Sequence, residues 1–237
     1  MSIPIPKLPY NIYWINLDRR PDRKKHMENI LENNKENNFR ISAIDFKNDF
    51  KPYNVIKHNR LNGGEHGCTC SHVKALYYFL TTSNDEYCFI AEDDLSNLYS
   101  EYWTEYHNNL LKKSNYDILQ LQTTSDIFNN KKMIPENKSG SGTTFYKIKR
   151  NVAKKIVKNH FNDKTLTINL KNHKFPVTDN FIWTFGKVYL LPMFSYLDVT
   201  DSDTNIKNKD MENKWLFFFK NAKQKYLLFW KNNTCQI

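Results

Sequence analysis

No stretch of this 237-residue chain approaches the ~20 uninterrupted apolar residues that a membrane-spanning helix needs, so no such span is expected. Met1-Ser2-Ile3-Pro4-Ile5-Pro6 has no basic segment followed by an apolar one, and no signal peptide is read there. Cysteine is scarce, with Cys68, Cys70, Cys88 and Cys235 making up the whole set. Cys68 and Cys70 stand two apart without a Cys or His pair downstream at zinc-finger spacing. A chain with room for a real core has little need of a disulfide framework, so the four read as reduced thiols and the compartment as cytoplasmic. Glycine is also sparse, at six residues. Arginine-rich tails, homeodomain patterns and internal repeats are lacking as well. The net charge of +10 would attract any polyanion, but without those features nucleic acid is not an expected partner.

What is present is an ordinary globular composition, 40% hydrophobic and 25% charged, in a length that fits one sizeable domain. Short apolar runs alternate with longer amphipathic stretches, the pattern of an α/β domain. Tyr10 to Asn16 reads as a buried first strand. Pro21 opens a helix with Met27, Ile30 and Leu31 on one face, and Phe39 to Ile44 reads as a second strand. Gly63-Gly64 precedes a helix from about Glu65 to Leu80, whose Val73, Leu76, Tyr77 and Leu80 recur at helical spacing. Glu86 to Ala91 is a compact strand. A helix over Ser100 to Lys113 and a strand over Asp117 to Leu121 follow. Asn129 to Gly142 reads as a mobile loop. A strand over Thr143 to Ile148, a helix over Asn151 to His160 and a strand over Lys187 to Met193 complete the set. Residues 1–208 form the expected domain, and residues 209–237 a distinct C-terminal segment.

The segment Phe89-Ile90-Ala91-Glu92-Asp93-Asp94 carries the strongest local signal. Three consecutive carboxylates repel one another and are poor strand formers, and they stand where a strand ends, the edge at which open α/β sheets bind ligands. If the backbone stays extended, Glu92 and Asp94 point to one side and Asp93 to the other. Two hard oxygen ligands on one side suit Mn²⁺ or Mg²⁺. A plain turn or a helix N-terminus, where Asp and Glu are common, is the structural alternative.

Four segments, in order, resemble glycosyltransferase family 25, which includes lipooligosaccharide β-galactosyltransferases and procollagen galactosyltransferases. Ile15-Asn16-Leu17-Asp18-Arg19-Arg20-Pro21-Asp22-Arg23 is similar to the opening strand-loop signature. Gly64-Glu65-His66-Gly67-Cys68-Thr69-Cys70-Ser71-His72 is similar to the Gly-Glu-x-Gly-Cys-x-x-Ser-His element. The acidic cluster matches the Glu-Asp-Asp that ends a hydrophobic strand. The fourth set is looser: Pro176-Val177-Thr178-Asp179-Asn180, Tyr189-Leu190-Leu191-Pro192 and Ser202-Asp203-Thr204. Thr178 is an extra residue against the family's commonest spacing and puts the role of Asp179 in question. The resemblance implies a GT-A type, Rossmann-like nucleotide-sugar transferase fold with a central mixed, mostly parallel sheet. It also implies a UDP-sugar donor (most often UDP-galactose), Mn²⁺ dependence, inversion at the anomeric carbon, and either a lipopolysaccharide-type glycan or collagen hydroxylysine as acceptor.

Against that background Glu92 and Asp94 are the expected metal ligands. Arg19 and Arg23 follow the first strand and suit phosphate oxygens, or else form a solvated basic turn. Glu65, Ser71 and His72 would hold the donor or brace the metal-bearing loop, although His72 also fits a core histidine. Cys68 reads as a small packing residue, since no base is paired with it. Asn16, Leu17, Asp45 and Asp93 complete the expected donor-binding set. Asp179 is the first candidate for the base that takes the acceptor proton, with a helix N-cap as its alternative, and Asp203 is the second candidate or a third metal ligand. Trp183, Tyr189 and Phe194 would stack on sugar rings or fill the core.

In the last segment Trp215, Phe218, Phe219, Ala222, Tyr226, Phe229 and Trp230 approximate one helical face among lysines. Such a helix either docks on its own domain or lies on an acidic membrane surface, which would place the protein peripherally at the inner face of a membrane. Two other readings stand beside the galactosyltransferase: a UDP-glucose-dependent glucosyltransferase of the same fold, and a catalytically silent nucleotide-binding scaffold.

Overall fold

The computed structural model describes residues 4–129, 134–197 and 209–234. In chain order the elements are β1 (Ile12–Asn16), α1 (Pro21–Ile30), β2 (Asn38–Ser42), β3 (Asn54–Ile56), α2 (Gly63–Thr82), β4 (Tyr87–Glu92), β5 (Leu95–Ser96), α3 (Glu105–Lys113), β6 (Ile118–Gln120) and β7 (Phe145–Lys149). They continue with α4 (Arg150–His160), β8 (Phe161–Asn162), β9 (Thr167–Asn169), α5 (Thr178–Trp183), β10 (Val188–Leu190), β11 (Ser195–Tyr196) and α6 (Lys209–Thr234).

The principal sheet has six strands in the order β10-β6-β7-β4-β1-β2. β1 pairs in parallel with β2 and β4, and β10 in parallel with β6, while β7 is antiparallel to both of its neighbours. The protein is therefore α/β with a central mixed, mostly parallel sheet. β1 is buried along its whole length, as a central strand covered on both faces must be. Its side chains alternate between two cores. Ile12 and Trp14 join Phe89, Ala91 and Phe145 under α1, α3 and α6, whereas Tyr13 and Ile15 join Cys88, Ile90 and Tyr146 under α2 and α4. β3, β9 and β8 form a small outlying sheet, and β5 pairs with β11.

Several boundaries differ from those the sequence suggests. The two glycines before the second helix lie inside its first turn, because Asn62 caps it. The long helix at Ser100 begins instead as a 3-10 turn over Ser100–Tyr102 and restarts at Thr104, the N-cap of α3. The segment read as a mobile loop is tied down in its described part. Glu136 exchanges backbone hydrogen bonds with Leu190, and the Gln120 side chain bonds the backbone of both Gly140 and Gly142.

The described side chains of α6, 220–232, place Ala222, Tyr226 and Trp230 in the core beside Tyr99, Trp103 and His107. Trp215, Phe218 and Phe219 lie outside the residues whose side chains are described. No helix among the described residues is long and apolar enough to cross a membrane.

His107 joins the cap of α3 to this docking. Its Nδ1 accepts from the Thr104 backbone N–H at 2.9 Å, and its ring lies 4.8 Å from that of Trp230. Burial lowers its proton affinity to about 4, outweighing the hydrogen bond at Thr104. An unfolded histidine titrates near ~6.5, so between those values the unfolded chain binds the extra proton. The stability contributed here is present above ~6.5 and lost as the pH falls toward 4. His107→Gln keeps a side chain suited to the capping position and is expected to lose less melting temperature between pH 7 and pH 4.5 than the parent. Parallel losses in thermal scans of the two proteins would rule the histidine out.

Candidate functional site

β1, β2 and β4 run the same way, so their carboxyl ends share one edge of the sheet, where such sheets bind ligands. A solvent-open cleft lies there, bounded by Leu17, Arg19 and Arg23 after β1, by Ala43 to Phe46 after β2, by the first turns of α2, and by Glu92 to Asp94 at the end of β4. The α2 wall is held close. A Cβ on Gly67 would come within 2.7 Å of the Ile44 carbonyl oxygen, so that residue must be glycine for α2 to pass the chain leaving β2. Ser71 fastens the same contact, its hydroxyl donating to the Gly67 carbonyl at 2.6 Å and accepting from the Ile44 N–H at 2.8 Å.

The acidic cluster is distributed by strand alternation. Glu92 continues the side of β4 that faces α2, and its Oε1 lies 3.4 Å from His72 Nε2 and accepts from the Thr143 hydroxyl at 2.6 Å. Asp93 continues the opposite side, accepting from Asn16 Nδ2 at 2.7 Å and from Arg23 Nη1 at 3.0 Å. The chain does not stay extended beyond that point: Asp93 and Asp94 form a turn into β5. Glu92 and Asp94 nevertheless border the same cleft, brought together by the turn and not by strand spacing.

Charge is unevenly shared among the three. Burial pushes Glu92 up, but the His72 imidazole, the Thr143 hydroxyl and Arg23 outweigh it, leaving the carboxyl below its ordinary range. Asp94 is pushed up to about 7 by burial and then by Glu92 and Asp93, with Arg23 and Thr144 offsetting only part. Burial also holds Asp93 above its ordinary value despite its bonds from Asn16 and Arg23. Asp94 Oδ1 and His72 Nε2 are buried without a hydrogen-bond partner. The His72 ring is fixed by its other nitrogen, with Nδ1 3.0 Å from the Tyr146 hydroxyl. Burial, followed by Glu92, pushes the Cys68 thiol well above its ordinary value.

Most of the residues singled out in the sequence meet in this cleft, and some do not. Leu17, Arg19, Arg23, Asp45, Ser71, His72, Glu92, Asp93 and Asp94 all border it. Arg19 and Asp45 form an ion pair at 2.8 Å. Asn16 is buried behind the cleft, where it holds Asp93 and accepts from Arg40 Nε at 2.9 Å. Glu65 is outside the lining: its carboxylate accepts from the Asn62 N–H at 2.8 Å and Asn62 Oδ1 accepts from the Glu65 N–H at 2.9 Å, a capping box that fixes the start of α2. Asp179 lies in the first turn of α5, whose N-cap is Val177. Its carboxylate accepts from the Gly142 N–H at 3.3 Å and contributes to the electrostatic load on Cys68, along with Glu92 and Asp94. Asp203 lies outside the described residues.

Trp183 packs on Tyr146 and donates to the Gly140 carbonyl, Tyr189 lies against Tyr116, and Phe194 packs between Trp103 and Phe145. Sequence reasoning missed Thr143 and Tyr146, which act on Glu92 and His72 from β7 and the loop entering it, and Phe46, which borders the cleft. About 50 residues separate Thr143 from Glu92, and no local spacing connects them.

The profile of the family described as glycosyltransferase family 25 (LPS biosynthesis protein) matches residues 10–172. No curated protein matches the chain. Among solved structures the chain is similar to A197 from STIV, with 14% identity over 78% of this chain and 83% of that one and a TM-score of 0.41. It is also similar to the inositol-1-phosphate CTP transferase from T. maritima, with 8% identity over 87% of this chain and 75% of that one and a TM-score of 0.34. The family match covers well over half of the sequence and takes in the cleft from Arg19 to Asp94, so this chain belongs to glycosyltransferase family 25 and is a glycosyltransferase.

Proposed function

We propose that the chain is a metal-dependent, inverting transferase that moves a hexose, galactose in the first instance, from a UDP-sugar to an acceptor hydroxyl. The observation that carries the reading is the meeting of Arg19, Arg23, Glu92 and Asp94 in one cleft at the carboxyl edge of the sheet. A divalent cation fits the residues present. Two adjoining, partly buried carboxyls cannot both ionise cheaply, and Asp94 carries an unpartnered oxygen. Glu92 and Asp94 would hold the ion, and oxygen ligands of this kind suit Mn²⁺ or Mg²⁺. Such an ion, when bound, neutralises the charge that grows on the departing diphosphate.

The protein's own groups supply the rest. Arg19 and Arg23, held by Asp45 and Asp93, present guanidinium groups for phosphate oxygens. Asn16 fixes Asp93, and with it the orientation of Arg23. The acceptor oxygen forms the new bond to the anomeric carbon as the bond to the diphosphate oxygen breaks. Asp179 takes the acceptor proton on the opposite side of the sugar.

For the acceptor we favour a glycan carried on a lipid over collagen hydroxylysine. The outward side of α6 exposes Leu228 between Lys220 and Lys231, a combination suited to the anionic inner face of a membrane. UDP release from UDP-galactose and UDP-glucose, each with a glycan and with a collagen-peptide acceptor, tests the reading. Faster release from UDP-galactose with the glycan, abolished by EDTA, is expected. A folded protein that binds UDP but turns over neither donor would instead be a silent scaffold.

A further inference from the structure

The α2 side of the cleft holds two groups that the donor chemistry above leaves unused. Cys68 and His72 stand four residues apart on α2 and therefore share one face, which looks onto the end of β4. The Cys68 sulfur, a His72 ring nitrogen and a Glu92 carboxylate oxygen all lie within 4.8 Å of one another. His72 is 1% exposed, and its Nε2 has no hydrogen-bond partner. That nitrogen is 3.4 Å from Glu92 Oε1. With metal–ligand bonds of about 2.0–2.1 Å, two neighbouring ligand atoms of a tetrahedral centre stand about 3.4 Å apart. The pair thus has the spacing of two ligands, and the charge contact that lowers Glu92 falls short of an aligned hydrogen bond at Nε2.

The surrounding groups fit the same role. A ligating histidine usually gives its second ring N–H to a fixed partner, which sets the tautomer. Here the Tyr146 hydroxyl sits 3.0 Å from Nδ1, and Nδ1–H donating to it leaves the Nε2 lone pair facing the cleft. Glu92 is steadied by the Thr143 hydroxyl at 2.6 Å.

We propose that Cys68 and His72 join Glu92 and Asp94 as ligands of the cation, giving a mixed sulfur, nitrogen and oxygen centre that takes up borderline transition ions such as Zn²⁺ or Co²⁺ as well as Mn²⁺. Thiolate and imidazole favour the borderline ions, whereas oxygen ligands favour Mg²⁺ or Mn²⁺. The inference rests on the reading that a cation occupies the acidic end of β4, and it changes which side chains hold it. Binding displaces the thiol proton to solvent as the sulfur–metal bond forms, so loading also releases acid.

Titrating the full-length, metal-free protein with Co²⁺ tests this without any activity assay. A near-ultraviolet thiolate-to-cobalt absorption band is expected, lost in Cys68→Ser and kept in a Cys235→Ser control. Zn²⁺ affinity, read by competition with a chromophoric chelator, is expected to fall at least about tenfold in His72→Gln, which keeps a polar side chain of similar length at that position. Cobalt bound without the band overturns the proposal. So does parental Zn²⁺ affinity in both the Cys68→Ser and the His72→Gln variants alongside its loss in Asp94→Asn, an outcome that leaves an oxygen-only centre and the transferase reading intact. A band that appears in a protein unable to turn over any UDP-sugar would support the centre while removing the proposed donor chemistry.

Discussion

Asp94→Asn is expected to cut UDP-sugar turnover by about three orders of magnitude and, with divalent ions chelated, to raise the melting temperature at pH 8. Both effects have one origin. The Asp94 carboxyl is raised to about 7 by burial and by its acidic neighbours Glu92 and Asp93, against about 3.9 in an unfolded chain. Between those values the folded state binds more protons than the unfolded one, so stability falls as the pH rises through that window. Above pH 7 the folded protein carries the full cost of burying the anion. Asparagine has no charge to bury and removes that cost, but it is a poor ligand for a hard cation. Function here is bought with stability, a common arrangement at binding sites. UDP-release rates and thermal scans in EDTA check the two halves together. Parental turnover in the variant would remove Asp94 from the metal site, and an unchanged melting temperature would remove the charge-burial account.

Asp179→Asn is expected to lower the rate of transfer by about 10²- to 10⁴-fold while leaving UDP affinity within about twofold of the parent, a margin worth well under 1 kcal/mol. The reasoning turns on where Asp179 stands. It does not line the cleft beside Arg19 and Arg23, so the nucleotide should not sense its loss. Its carboxylate instead accepts from the Gly142 and Asn180 backbone N–H groups, and it shares the field around Cys68 with Glu92 and Asp94. The two bonds end on different carboxylate oxygens, so the single asparagine oxygen keeps one of them and most of any role in starting α5, yet the amide cannot take a proton. Initial rates at saturating donor, paired with calorimetric titration of UDP, separate the two roles. A rate within a few-fold of the parent would leave Asp179 as a helix-terminus residue and move the search for the base elsewhere in the chain.

The α/β class was legible because its signals are local. The continuous apolar run of β1, the helical recurrence of Val73 and Leu76, and the abrupt change from Ile90-Ala91 to Glu92-Asp93-Asp94 all span a few residues, and backbone periodicity determines their meaning. Glu65 shows a local signal that competed with another. Asn62 and Glu65 have the spacing of a capping box, and the structure gives the carboxylate to the helix start and not to the cleft. The single-sided placement of Glu92 and Asp94 assumed an extended chain, whereas the turn at Asp93 and Asp94 brings both to the cleft by another route.

By itself, then, the sequence determined the alternation of elements, the strand end that carries the carboxylates, and the motifs that mark the family. Tertiary structure alone decided that β7 enters the sheet antiparallel between β4 and β6, setting Tyr146 against His72 and bringing the preceding Thr143 to Glu92. It also decided that Asn16 holds Asp93 and that Tyr226 and Trp230 close the core opposite α2. Those partners are roughly 50 to more than 100 residues apart in the chain. Their meeting depends on which strands pair and which faces are covered, a choice made by burying apolar surface across the whole domain and not by the preferences of neighbouring residues.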